Sequence, residues 1–299
     1  MKALKKKSKL FLLLVFLVFT GIFFEFSGNT GGNQKTIAPL AISVGKVLPT
    51  ATLAPSPTPT NTPTPTLIPT PTPVPLVGYC LNVPVLIYHH VEPQVQAKEL
   101  NQVSLSVDNG MFDQQMEYLK SSGYTTITVK QLIDALLSHQ PLPSKSIAIT
   151  LDDGYKDVYE YAYPIFKKYN LTANLMIATG LLEGGSYMSW SQLQEMHDSG
   201  LIYVTDHTWS HYAINNGSND KIKYEIETAR KQLEDHLGQI VNIFTYPYGA
   251  FNDNAINILK QDGFIGAFST IPGHWQCDSF IMSLHRNRVG NVPLSGYGL

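Results

Sequence analysis

Charge is scarce in this chain. Only 15% of its 299 residues are Asp, Glu, Lys or Arg, against about a quarter in ordinary globular proteins. The shortage is local: no charged residue occurs from Val47 to Val91, and the stretch from Pro49 to Pro75 holds ten prolines and nine threonines. Such a segment cannot bury a core, so residues 27–78 read as an extended, disordered Pro/Thr-rich linker. At roughly 3 Å per residue it spans on the order of 100 Å or more. A basic surplus is also missing. The net charge of −2 and the pI near 6.5 exclude the usual electrostatic footprint of a nucleic-acid binder. Long apolar runs are missing too. The one candidate, Leu10 to Phe24, is short for a membrane span and follows five lysines in the first nine residues. Residues 1–26 therefore read as a signal peptide or signal anchor. No small-x-small cleavage site follows, which favours an anchor over a cleaved signal. Lysines on the N-terminal side place that end inside the cell and the rest outside. The protein is thus expected at the cell surface, membrane-anchored or secreted. Cysteine is rarest of all: Cys80 and Cys277 form either one disulfide in an oxidising compartment or two free thiols.

What is present from residue 79 onward is an alternation of strand and helix signals. Apolar, β-branched runs at 83–91, 146–154, 171–180, 201–205, 240–249 and 265–270 read as strands. Between them, residues 112–123, 128–137, 157–169, 189–200, 220–238 and 252–264 have helical spacing. Thr128 and Gln131 form a capping box, and glycine follows several of these helices. Repeated βα units imply a parallel sheet covered by helices. The expected fold class is α/β, one domain over 79–299 built as a distorted barrel of seven or eight strands. In such folds chemistry sits at the carboxyl ends of strands. Four polar clusters fall there: His89-His90, Asp152-Asp153, Asp206-His207 and Tyr246-Pro247-Tyr248.

In "HTWSH", His207 and His211 are four residues apart, which on a helical turn puts both on one face, close enough to share a metal. Two imidazoles and one carboxylate leave positions open for water and substrate, the layout of metal-assisted hydrolysis. In order and spacing, "TLDDG", "HTWSH" and "YPYG" resemble the polysaccharide deacetylases with NodB homology, carbohydrate esterase family 4, over about residues 80–290. That resemblance implies a (β/α) barrel that removes acetyl groups from N-acetylglucosamine units. It implies Asp153, His207 and His211 as metal ligands, Asp152 as general base and the Tyr248 N–H as an oxyanion donor. The metal would be zinc, with cobalt or nickel also suited to such ligands. Two departures stand out. The family's R-x-P-Y motif is here "FTYPYG", with Thr245 near the place of the Arg that orients the base; Arg286 is the candidate replacement. No clean C-terminal L-x-H supplies a general acid. The N-terminal "YHHV" instead resembles the branch containing poly-N-acetylglucosamine deacetylases, which implies His89 as the acid, with His90 and His285 as alternatives. Trp190, Trp209 and Trp275 are either sugar-groove aromatics or ordinary partly buried residues. His139, His197, His236 and His274 read as surface residues.

The expected partner is an N-acetylglucosamine-containing polysaccharide, acted on by a monomer held to the membrane through its N-terminus. Peptidoglycan, poly-N-acetylglucosamine and chitin-like polymers all qualify. The competing readings are a non-catalytic carbohydrate-binding module on a stalk and an amidase for small molecules; a long tether serves the second poorly, because a diffusible substrate needs no arm.

Overall fold

A computed structural model describes residues 76–299. The N-terminal apolar segment and all but the last three residues of the tether lie outside the described residues. Strand β1 (Cys80–Asn82) is followed by β2 (Val85–Tyr88), β3 (His90–Glu92), helix α1 (Gln94–Glu99), β4 (Ser106–Asp108), α2 (Asn109–Ser121), β5 (Thr125–Thr126) and α3 (Val129–Ser138). The central part holds β6 (Ser146–Asp153), α4 (Tyr163–Tyr169), β7 (Ala173–Ile177), α5 (Trp190–Asp198) and β8 (Ile202–Asp206). The rest is α6 (Asn219–Leu237), β9 (Ile243–Thr245), α7 (Asp253–Gln261), β10 (Gly266–Phe268), β11 (Trp275–Cys277) and β12 (Asn287–Arg288).

Eight strands form one parallel sheet in the order β10-β9-β8-β7-β6-β2-β12, with β5 joined to the start of β6. This is an α/β fold with a curled parallel sheet. Its edges are bridged by one segment rather than by a full strand pairing. Leu284 exchanges backbone hydrogen bonds with Ala267 and Ser269 of the β10 edge, and Arg286 donates to Ile271. The next two residues, Asn287 and Arg288, pair with β2.

Strand parity decides what faces where. In β6, Ile147, Ile149 and Leu151 pack toward α2, α4 and α5 in the largest apolar cluster. Ala148 joins a second cluster with Val85, Met176, Phe268 and Leu284. Thr150 and Asp152, of the same parity as Ala148, both contact Arg286. The two acids at the end of β6 therefore leave the strand toward different neighbours. Asp153 has φ of 75° and Gly154 φ of 88°, so the chain turns sharply there. A side chain at Gly154 would also come within 3.2 Å of Ile177.

Several expected boundaries shift. The run 83–91, read as one strand, breaks at His89. The residues beyond it pair with β4 in a small separate sheet, because the chain from 93 to 105 folds back and supplies a partner that local pattern does not reveal. Residues 158–162 form a π-helical turn before α4, in which Pro164 sits in the first turn where a missing N–H costs nothing. The capping box at Thr128 is present. Cys80 and Cys277 form a disulfide across the antiparallel pair β1–β11, which removes the free-thiol alternative. Among the described residues no helix is long and apolar enough to cross a membrane.

Candidate functional site

A cavity of about 660 Å³ opens at the carboxyl ends of the central strands. Its lining includes His89, Asp152, Asp153, His207, His211 and Tyr248, so residues spread over 160 positions converge in one place.

Asp152 is 3% exposed and is held by Arg286 in a two-pronged pair, Nη1 to Oδ1 at 2.7 Å and Nη2 to Oδ2 at 2.9 Å. Arg286 is itself 1% exposed. Its Nε donates to the Ser269 carbonyl and its Nη1 also donates to the Thr150 hydroxyl. A buried guanidinium is tolerable only with its donors satisfied in this way. Burial by itself raises the Asp152 pKa, but the charge and hydrogen bonds of Arg286 more than reverse this and hold the carboxyl below its usual range.

Asp153 faces the two histidines. Its Oδ1 lies 3.3 Å from His207 Nε2 and 3.2 Å from His211 Nε2. The opposite nitrogen of His207, Nδ1, donates to the Thr245 carbonyl at 2.7 Å, which fixes the ring so that Nε2 faces Asp153. Burial, then the nearby His207, lower the His211 pKa, so that ring is disfavoured as a cation. Asp153 Oδ1 is buried without a hydrogen-bond donor. One carboxylate oxygen and two ring nitrogens, all within 4.8 Å of one another, are what a divalent cation satisfies. These residues fit a metal.

The loop bearing the histidines is not the helical turn their spacing allows. Thr208 and His211 both have positive φ, 69° and 58°. Among the described residues nine non-glycine positions have positive φ, and Asp153, Thr208, His211 and Tyr248 are four of them. Backbone strain, of order 1–3 kcal/mol per residue, is thus concentrated around the cavity. Glu225 of α6, wholly buried, holds this loop. Its carboxylate accepts from the N–H and hydroxyl of Ser210, and its backbone carbonyl accepts from Trp209 N–H. Lys221 completes the pair at 2.6 Å. Asp206, at the end of β8, accepts from Thr208 N–H. Burial pushes its carboxyl well above the ordinary range.

His89 lies against the same cavity; burial lowers its pKa, partly opposed by Asp152 and Asp153. The alternatives lie elsewhere. His90 is buried and bonded to Asp157 at 2.6 Å, and His285 stacks on Phe280. Tyr248 is 72% exposed with φ of 60°. The turn's own hydrogen bonds are donated by Gly249 and Ala250, which leaves the Tyr248 N–H out of them. Neither Trp190, Trp209 nor Trp275 lines the cavity. Trp190 stacks on His236, Trp209 meets Tyr224 edge-on, and Trp275 lies in β11. The aromatic lining is tyrosine instead: Tyr155, Tyr187, Tyr246 and Tyr248. Sequence reasoning named Tyr246 and Tyr248 but missed Tyr155, Tyr187, Arg288 and Glu225. Tyr155 lay in plain view, two residues after Asp153. His139 is not a bare surface residue either; it pairs with Asp278 and stacks on Tyr79.

A curled parallel α/β sheet with an Asp–His–His cluster beside an Arg-held carboxylate defines a hydrolase of the acyl-transfer kind. Comparison with known proteins makes the class specific. Residues 139–266 match the family model for polysaccharide deacetylase. A presumed polysaccharide deacetylase of Bacillus subtilis, YxkH, is 28% identical over 207 residues, covering 69% of this chain and 71% of that one. The poly-beta-1,6-N-acetyl-D-glucosamine N-deacetylase of Escherichia coli is 24% identical over 248 residues, and the match covers 69% of this chain but only 36% of that protein. Among solved structures, the Streptococcus pyogenes deacetylase PplD in complex with acetate superposes with a TM-score of 0.66 at 27% identity, over 70% of this chain and 92% of that one. The match over residues 139–266, the relatives and the fold bear out the resemblance read from the motifs.

Proposed function

We propose that this protein removes N-acetyl groups from N-acetylglucosamine units of an exported or cell-envelope polysaccharide. The observation that carries the reading is the division of the Asp pair inside one cavity: Asp152 bound to Arg286, Asp153 turned to His207 and His211. Asp153, His207 and His211 hold the divalent cation, zinc by ligand type. When bound, that cation supplies Lewis-acid polarisation and lowers the pKa of water.

The chain's own residues do the rest. Asp152, kept ionised by Arg286, accepts the proton of the attacking water. The Tyr248 N–H donates to the oxygen that becomes negative when the acetamide carbonyl turns tetrahedral. His89, on the cavity wall, gives a proton to the departing nitrogen. The products are acetate and a free amine on the sugar. Poly-N-acetylglucosamine heads the substrate list because the Escherichia coli relative is named for it. The Cys80–Cys277 disulfide supports an oxidising location outside the cytoplasm, consistent with the exported reading of the N-terminus.

The test pairs metal analysis with acetate release over peptidoglycan, poly-N-acetylglucosamine and chitin oligomers. Asp152→Asn is expected to keep the metal and lose turnover, whereas Asp153→Asn loses both. Equal metal loss in the two variants would refute the division. Metal-loaded wild type that releases no acetate would leave a sugar-binding module as the reading.

A further inference from the structure

A second cavity, of about 240 Å³, lies beyond the ring of His90. Tyr155 lines the first cavity and His90 the second, and the two rings stack with centroids 3.6 Å apart. The wall between the cavities here is one stacked pair thick. Leu100 is the only apolar side chain in the lining; His90, Gln96, Gln102, Asp157 and Ser186 present hydrogen-bonding groups. The proposed reaction uses none of them.

The floor is negatively charged. Asp157 is 7% exposed, bonded to His90 Nδ1 at 2.6 Å and to the Val91 N–H at 2.9 Å. Behind it, Glu92 is wholly buried. One of its oxygens accepts from Gln102 and Ser106, and the other has no hydrogen-bond partner. The lysine at the rim, Lys156, is paired with Glu160 at 3.2 Å. His90 thus meets the Asp157 carboxylate, and Glu92 behind it keeps one oxygen without a partner. Asp157 shows the consequence: burial first, and then the charge of Glu92, raise its pKa despite the His90 bond. Two neighbouring buried acids with one imidazole between them and solvent favour a further cationic group nearby.

The cavity has room for one sugar ring. Its polar lining suits hydroxyl groups and its floor suits a positive charge. Resting on the reading that the substrate is an N-acetylglucosamine polymer, we infer that this cavity is a subsite for a neighbouring glucosamine unit that carries a free ammonium group. The ammonium is placed against Asp157, with Gln96, Gln102 and Ser186 on the ring hydroxyls. An N-acetylated unit brings a neutral, bulkier amide and offers Asp157 no charge. The enzyme therefore prefers chains that already hold a deacetylated unit beside the one being processed, and removes acetyl groups in runs.

The full-length, zinc-loaded protein is titrated by calorimetry with a β-linked glucosamine tetrasaccharide and with its fully N-acetylated counterpart. The glucosamine oligomer is expected to bind at least tenfold tighter, and Asp157→Asn to erase that preference. Gln96→Leu, a change on the partly exposed helix α1, is expected to weaken both oligomers about equally. It keeps the test open if Asp157→Asn fails to fold through loss of the Val91 bond. Equal affinity of wild type for the two oligomers overturns the subsite. So does a preference that survives in Asp157→Asn, which assigns it to the catalytic cavity, or Gln96→Leu binding both oligomers as wild type does. Acetate release from N-acetylglucosamine polymers is measured in parallel. Its absence counts against the deacetylase reading, whereas the amine preference and its loss in Asp157→Asn bear on the subsite alone.

Discussion

Arg286 is the residue on which the proposed base depends. Its guanidinium meets both oxygens of Asp152, and neither group reaches solvent. Removing one partner of such a pair leaves the other charge buried and unmatched, which costs about 3–5 kcal/mol. Arg286→Ala is thus expected to lower stability by that order in denaturant unfolding and to lose most acetate release. Arg286→Lys should recover little, since an ammonium cannot donate to both oxygens in the fork geometry. If Arg286→Ala unfolds at the wild-type denaturant concentration and keeps its turnover, Asp152 is held by something else. Thr245 stands where relatives are expected to carry the orienting Arg. Its backbone carbonyl holds His207 instead, so that position serves the Asp–His–His cluster.

At the scale of elements, the ligand loop 207–211 and helix α6 behave as a unit. The loop has two left-handed residues and no regular hydrogen-bond ladder to keep them in place. Glu225 supplies the missing fixture from α6 through Ser210, and the Glu225 carbonyl adds Trp209. Groups that orient metal ligands from behind typically contribute 10–100-fold to metal affinity. Glu225→Gln keeps one of the two accepting oxygens and should lose part of this, and Glu225→Ala most of it. The measurement is a zinc competition titration, alongside a melting curve of the metal-free form to separate loop order from global stability. Unchanged zinc affinity in Glu225→Ala would show that the loop orders itself.

For the molecule as a whole, the disulfide joins residues 197 apart in sequence, so it ties the start of the folded domain to its last sixth. Cross-links that close long loops restrict the unfolded chain most, typically by 2–5 kcal/mol when a native bridge is removed. Replacing Cys80 and Cys277 together by Ser is expected to lower Tm by roughly 5–15 °C. Acetate release well below that Tm should be preserved, because β1 and β11 do not line the catalytic cavity. A Tm within about 1 °C of wild type would mean that the antiparallel pair holds without its bridge.

The sequence by itself determined the βα alternation, the place of the polar clusters at strand ends and the residues of the Asp–His–His cluster. These follow from periodicity of two and 3.6 and from motifs whose members lie within five residues of one another, such as Asp152-Asp153 and His207 to His211. Tertiary structure decided the rest, because it concerns residues that only folding brings together. The pairing of Arg286 with Asp152 spans 134 positions. It depends on residues 284–288 lying between the β10 edge and β2, a seam with no local signature. His89 faces the cavity while His90 turns to Asp157, because the strand breaks between them and β3 finds its partner in β4. The choice of tyrosines over tryptophans as the aromatic lining was likewise set by where the loops return, since burial and spacing alone do not distinguish a groove wall from ordinary packing.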